Sequence, residues 1–101
     1  MPIYLISYDI KEPKLLQRVA KRLQAEGLER ILKSVFLGPI RSLNLRKLQR
    51  WLEQELTWDE KDRGSVVLIP LRPSQIDALM SIGPVQLDKE EIKGSKHTLF
   101  Y

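Results

Sequence analysis

The stretch IYLISYDI, residues 3–10, places a carboxylate where an apolar run stops. Ile3 to Tyr8 read as a buried strand, and Asp9 follows at once. Such an aspartate can simply turn the chain, accepting bonds from nearby backbone N–H groups. It can also be a reactive group held at the end of a sheet. The chemistry open to it is ligation of a hard cation, because Mg²⁺ prefers oxygen ligands and typically takes one or two carboxylates while keeping waters. A cation so held neutralises a phosphodiester and activates water for its hydrolysis. One Asp per chain makes a poor metal site. A two-fold axis near the ends of two such strands would set two Asp9 carboxylates face to face. Crowded like charges raise each other's proton affinity unless a cation sits between them. Ser7 shares the face of Asp9 by strand alternation, and Tyr8 points the other way, into packing.

The second chemistry is phosphate binding. Lys14, Arg18, Lys21 and Arg22 fall on one side of KEPKLLQRVAKRLQAEG, and Arg46, Lys47 and Arg50 on one side of SLNLRKLQRWLEQEL. Arg30 lies between these segments. A basic stripe is either the solvated side of an amphipathic helix or a surface for a polyanion backbone, whose binding would depend steeply on salt. Nothing in the pattern reads base edges, so little sequence specificity is expected.

Other chemistries are bounded by composition. The 101 residues contain no Cys and one His, His97, which excludes a disulfide scaffold, a thiolate metal site and a multi-His centre within one chain. Lys and Arg number 17 against 13 acidic residues, for a net charge of +4, too small an excess to prove a polyanion partner. Hydrophobic residues make up 43%, enough for one compact core. The N-terminus has no basic region of the signal-peptide kind, and no stretch approaches the roughly 20 apolar residues that span a bilayer. The expected location is the cytoplasm, with no membrane partner.

These groups must be positioned by a short series of elements. Residues 3–8 read as a strand apolar on both faces, hence central in a sheet. The helix that follows has Pro13 in its first turn and Gly27 as its left-handed stop, with Leu15, Leu16, Val19, Ala20 and Leu23 on one side. Ile31, Val35 and Phe36 mark a strand or hairpin that Gly38-Pro39 ends. Ser42 is placed to cap a second helix with Leu45, Leu48, Trp51, Leu52 and Leu56 on one face. TWDEKDRG is a polar loop, with Trp58 available to a partner protein. GSVVLIPL is the clearest strand, with Pro70 near its end or on an edge. A short helix is predicted over about 73–80, a short strand around Val85 and Leu87, a charged linker at 88–96, and a last strand in HTLFY. The sum is one α+β domain with a ferredoxin-like βαββαβ sandwich, two helices on one face of an antiparallel sheet. Its core spans about 1–87, with 88–101 as linker and tail. The other sheet face keeps apolar side chains that nothing in so short a chain remains to cover, which implies a second copy.

Tyr8-Asp9-Ile10, then Gly27-Leu28-Glu29-Arg30, then Ser34-Val35-Phe36 with Gly38, then SVVLIPL, in this order and spacing, resemble the CRISPR-associated Cas-two family over about residues 3–85. The resemblance implies a homodimer whose sheets face each other, with the C-terminal strand added to the partner subunit's sheet. It implies a role in CRISPR adaptation (spacer acquisition): binding DNA or RNA backbone, bridging two dimers of the integrase, and metal-dependent endonuclease activity with Mg²⁺ or Mn²⁺. On this resemblance Asp9, paired with its counterpart in the second subunit, is the metal ligand and catalytic residue. Lys14, Arg18, Lys21, Arg22, Arg30, Arg46, Lys47 and Arg50 are nucleic-acid-binding candidates, and Tyr8, Ser34 and Phe36 support the dimer or the site. The chain departs from the family pattern at Leu16, Lys33 and Leu37, where many relatives carry a basic, an aromatic and an acidic residue. Three rival readings stay open: a non-catalytic scaffold of the integrase complex, a toxin-like ribonuclease of a toxin-antitoxin pair on the same fold, and a ligand-binding regulatory module. Against the last, there is no Gly-rich ligand loop.

Overall fold

The computed structural model describes residues 1–57 and 62–94. The strand expected at the N-terminus is β1, Ile3–Ile10, and Pro13 opens α1, Pro13–Ala25. Gly27 ends this helix at φ +87, while Leu28 N–H donates to Leu23 O and Gly27 N–H to Gln24 O, closing the free carbonyls of the last turn. The middle segment resolves into a hairpin, β2 Glu29–Leu32 and β3 Val35–Pro39, with a register shift between Arg30 and Leu32. Then come α2, Ser42–Thr57, and β4, Gly64–Leu71. Ser42 is the first helical residue of α2 rather than a residue ahead of it, with Leu45 N–H bonded to Arg41 O.

The four strands form one antiparallel sheet in the order β2-β3-β1-β4, so β1 is central, as its two-faced apolar character requires. This is the ferredoxin-like arrangement. β4 lies at an edge of the sheet, which accommodates Pro70. One face carries the main core: Ile6, Tyr8 and Ile10 of β1 and Phe36 of β3 pack with Leu15, Val19 and Leu23 of α1 and Leu45, Leu48 and Leu52 of α2. Each fully buried Leu or Ile contributes roughly 1.5–3 kcal/mol. The exposed Arg18–Glu55 ion pair joining the two helices contributes about 1 kcal/mol or less. Apolar burial therefore seats the helices, and the ion pair only trims their contact.

The second face departs from expectation. Residues 73–94 fold back over half of it through α3, Pro73–Asp77, and α4, Lys89–Lys93. Ile76 and Ile92 are buried against Ile3 and Leu37, with Leu5, Leu71, Leu79 and Leu87 around them. The charged stretch expected as a linker is thus partly a one-turn helix. The Asp88 side chain accepts from Glu91 N–H, Gly94 closes the turn at φ +82, and Lys93 pairs with Asp77 of α3 at 2.8 Å. The expected strand at Val85 and Leu87 is irregular chain, and the predicted helix over 73–80 stops at Asp77. The premise that nothing covers this face is corrected for the half under α3 and α4. The other half, toward the end of β1 that carries Asp9, leaves Val67 54% and Ile69 41% exposed. HTLFY, with His97, and Trp58 lie outside the described residues.

Candidate functional site

β1 outruns β3. Its pairing with β3 stops at Ser7, while its pairing with β4 continues to Ile10 opposite Gly64. Asp9 therefore stands exposed on a strand end with a ladder partner on one side, opposite Ser65. Alternation puts it with Ser7, Val67 and Ile69 on the uncovered half of the second face. The backbone beside it requires glycine: Gly64 has φ +136, and a Cβ there would lie 2.5 Å from the Asp9 carbonyl oxygen. Asp9, Lys11, Asp62, Arg63, Gly64 and Ser65 line a depression of about 200 Å³. The sequence reading missed Lys11, Asp62 and Ser65. Lys11 carries a signal, since it lies two residues beyond Asp9, just past the end of the same strand. Asp62 sits in an aperiodic polar loop and Ser65 is defined by its cross-strand partner, so only the tertiary structure finds them.

One wall of this depression is pinned by charge. Arg63, whose side chain is only 13% exposed, pairs with Glu12 at 2.7 Å and donates from Nη1 to the Glu55 carbonyl at 3.2 Å. The Glu55 carboxylate accepts in turn from Arg18 at 3.0 and 2.6 Å. The start of β4 is thereby tied to the entry of α1 and the last turn of α2. The hydrogen bond from Arg63 holds the Glu12 carboxyl below its ordinary value of 4.5, outweighing partial desolvation.

The other predicted residues fall in several places. Tyr8 and Phe36 are buried in the helix-side core with ring centroids 6.3 Å apart, so neither meets a second subunit across the open face; any support they give is from behind. Tyr8 Oη donates to Lys33 O, and Tyr8 N–H to Ser34 O. Arg30 donates from Nε to the same Lys33 carbonyl at 3.1 Å and stacks over Phe36 at 5.5 Å. Arg30 thus grips the β2–β3 turn through the Lys33 carbonyl. Arg22 pairs with Glu26 at 3.2 Å and lies over Trp51 at 5.1 Å, and Arg18 is held by Glu55. Among the described residues, Lys14, Lys21, Arg46, Lys47 and Arg50 are exposed without an ion pair. Of the eight basic candidates, Arg18, Arg22 and Arg30 are engaged by groups of their own chain, and these five present charge outward.

Among the described residues no group of three or more His, Cys, Asp or Glu could hold a metal ion. The depression offers two carboxylates and one hydroxyl from one chain, all hard oxygen donors. By chemistry that set suits a Mg²⁺ that keeps most of its waters. Among the described residues no helix is long and apolar enough to cross a membrane.

Comparison with known proteins matches residues 1–78 to the family described as CRISPR associated protein Cas2. The chain is 34% identical over 80 residues, 79% of its own length and 85% of the relative's, to CRISPR-associated endoribonuclease Cas2 2 of Pyrobaculum aerophilum. It is 38% identical over 58 residues, 57% of its length and 60% of the relative's, to CRISPR-associated endoribonuclease Cas2 1 of Francisella tularensis subsp. novicida. The crystal structure of Streptococcus pyogenes Cas2 superposes with a TM-score of 0.67 at 26% identity, covering 80% of this chain and 99% of that one.

Proposed function

The chain belongs to the CRISPR-associated Cas2 family, and from that premise we propose that it serves CRISPR adaptation as a homodimer that binds nucleic-acid backbone, bridges integrase dimers and hydrolyses phosphodiester bonds through Asp9. The observation that carries this reading is the placement of Asp9, exposed at the end of the central strand and on the uncovered half of the sheet beside Val67 and Ile69. A second copy seated on those apolar side chains would bring Asp9 of the partner subunit toward the same axis. A divalent cation bound there would neutralise the phosphate and activate water. Asp9 would hold it, with Asp62 as the second carboxylate of the depression, and the Ser65 hydroxyl would orient a carboxylate or a water. Lys14, Lys21, Arg46, Lys47 and Arg50 would hold flanking phosphates without reading sequence. Two relatives named as endoribonucleases make RNA the first substrate to test, with duplex DNA beside it.

A second reading, a scaffold without catalysis, is favoured by the small donor set of one protomer. Labelled RNA and duplex DNA with Mg²⁺ or Mn²⁺, incubated with wild type and Asp9→Asn of verified dimeric state, separate the two. The nuclease reading expects metal-dependent cleavage that Asp9→Asn abolishes with nucleic-acid binding retained. Absence of cleavage in the wild type, with binding and an integrase complex intact, leaves the scaffold.

A further inference from the structure

We propose that Lys11 is a phosphate-binding residue of the Asp9 depression, holding a non-bridging oxygen of the bound RNA phosphodiester; this rests on the reading of that depression as the hydrolytic site. The depression has a charge problem. Asp9 and Asp62 both line it, and an approaching phosphodiester anion meets both. Two cationic side chains line it as well, and they are not equivalent. Arg63 is largely buried and its guanidinium is committed to Glu12 and to the Glu55 carbonyl. It cannot turn toward a ligand without breaking the contacts that tie β4 to both helices.

Lys11 is the opposite case. It directly follows Ile10, the last residue of β1, and lines the depression together with Asp9. It is exposed and, among the described residues, has no ion pair, although two carboxylates line the same depression. A flexible ammonium with three donors, attached to a strand end beside a carboxylate, suits a phosphate oxygen at a site whose carboxylates are occupied by a cation. The basic helical residues bear on flanking backbone; Lys11 alone among the free lysines and arginines described shares the cavity of Asp9.

The test uses the full-length protein, Lys11→Gln, Lys11→Arg, Asp9→Asn and the Asp9→Asn/Lys11→Gln double variant, with circular dichroism confirming the fold. The probe is fluorescein-labelled single-stranded RNA, titrated by anisotropy in Mg²⁺ across a series of KCl concentrations and assayed in parallel for cleavage. Lys11→Gln is expected to weaken binding about 5–10-fold and to flatten the log–log salt slope by about 0.7, the loss of one phosphate contact on a single strand. KM should rise by a similar factor while kcat changes far less, and Lys11→Arg should restore both. The double variant should depart from additivity by about twofold or more, as for groups that share a site. Unchanged affinity and slope in Lys11→Gln overturns the proposal. So does failure of Lys11→Arg to rescue, or strict additivity with Asp9→Asn, which would place Lys11 on a separate surface. If cleavage survives Asp9→Asn, the hydrolytic reading falls by itself; the affinity, slope and rescue of the Lys11 variants still report whether Lys11 holds a phosphate.

Discussion

Gly64→Ala should destabilise the fold through the backbone of Asp9. Gly64 has φ +136, a region essentially closed to other residues, and holding alanine there costs about 1–3 kcal/mol. The new Cβ would lie 2.5 Å from the Asp9 carbonyl oxygen and 3.0 Å from both Cα and Cγ1 of Ile10. The obstruction is backbone, not a flexible side-chain end, so the strands must part at the Ile10–Gly64 end of the β1–β4 ladder. Losing one ladder hydrogen bond there adds about 1 kcal/mol. Alanine recovers about 0.4–1 kcal/mol by restricting the unfolded chain. The net loss is about 1–3.5 kcal/mol, which for a domain of this size corresponds to a Tm lower by about 4–25 °C. Thermal unfolding followed by far-UV circular dichroism measures it, at one fixed protein concentration because association shifts Tm. Ser65→Ala, next in the strand and exposed, is the control and should stay within about 0.5 kcal/mol of wild type. A Gly64→Ala protein melting within about 2 °C of wild type would refute the steric account of this strand end.

Ile92→Ala tests the cover over the second sheet face. Ile92 is 1% exposed, so truncation should cost about 2–5 kcal/mol in urea unfolding; a change under about 0.5 kcal/mol would mean that α4 does not pack in solution. Glu12→Gln tests the ion pair with Arg63. The folded Glu12 pKa lies below 4.5, so its stabilisation is fully present above about pH 4.5 and is lost as pH falls through the depressed value. The variant should be less stable than wild type at pH 7, and the gap should close as pH falls through the depressed Glu12 value. A gap independent of pH counts against the pair.

The elements were legible in the sequence because their signals are local. Pro13 and Gly27 bound the first helix, the period of Leu15, Val19 and Leu23 sets its buried side, and the double apolarity of residues 3–8 put that strand in the middle of the sheet. The same local signals singled out Asp9, a charge at the end of an apolar run. In the C-terminal part α3 was legible, though shorter than expected, whereas α4 was missed because it is a single turn made by a cap, Asp88, and a stop, Gly94, around one buried isoleucine, Ile92. That is too short for periodicity to show. The i,i+4 pair of Arg22 with Glu26 is a local feature. The helical stripes gave the basic residues but not the state of Arg18, because Glu55 reaches it only through the packing of α1 against α2. The depression was beyond reach for the same reason. Sequence by itself determined which residues carry charge and which strand end bears Asp9, since alternation and capping are properties of neighbours along the chain. Tertiary structure alone decided that Asp62, Ser65 and Gly64 meet Asp9 and that Arg63 is already engaged, since register between β1 and β4 joins residues more than 50 positions apart.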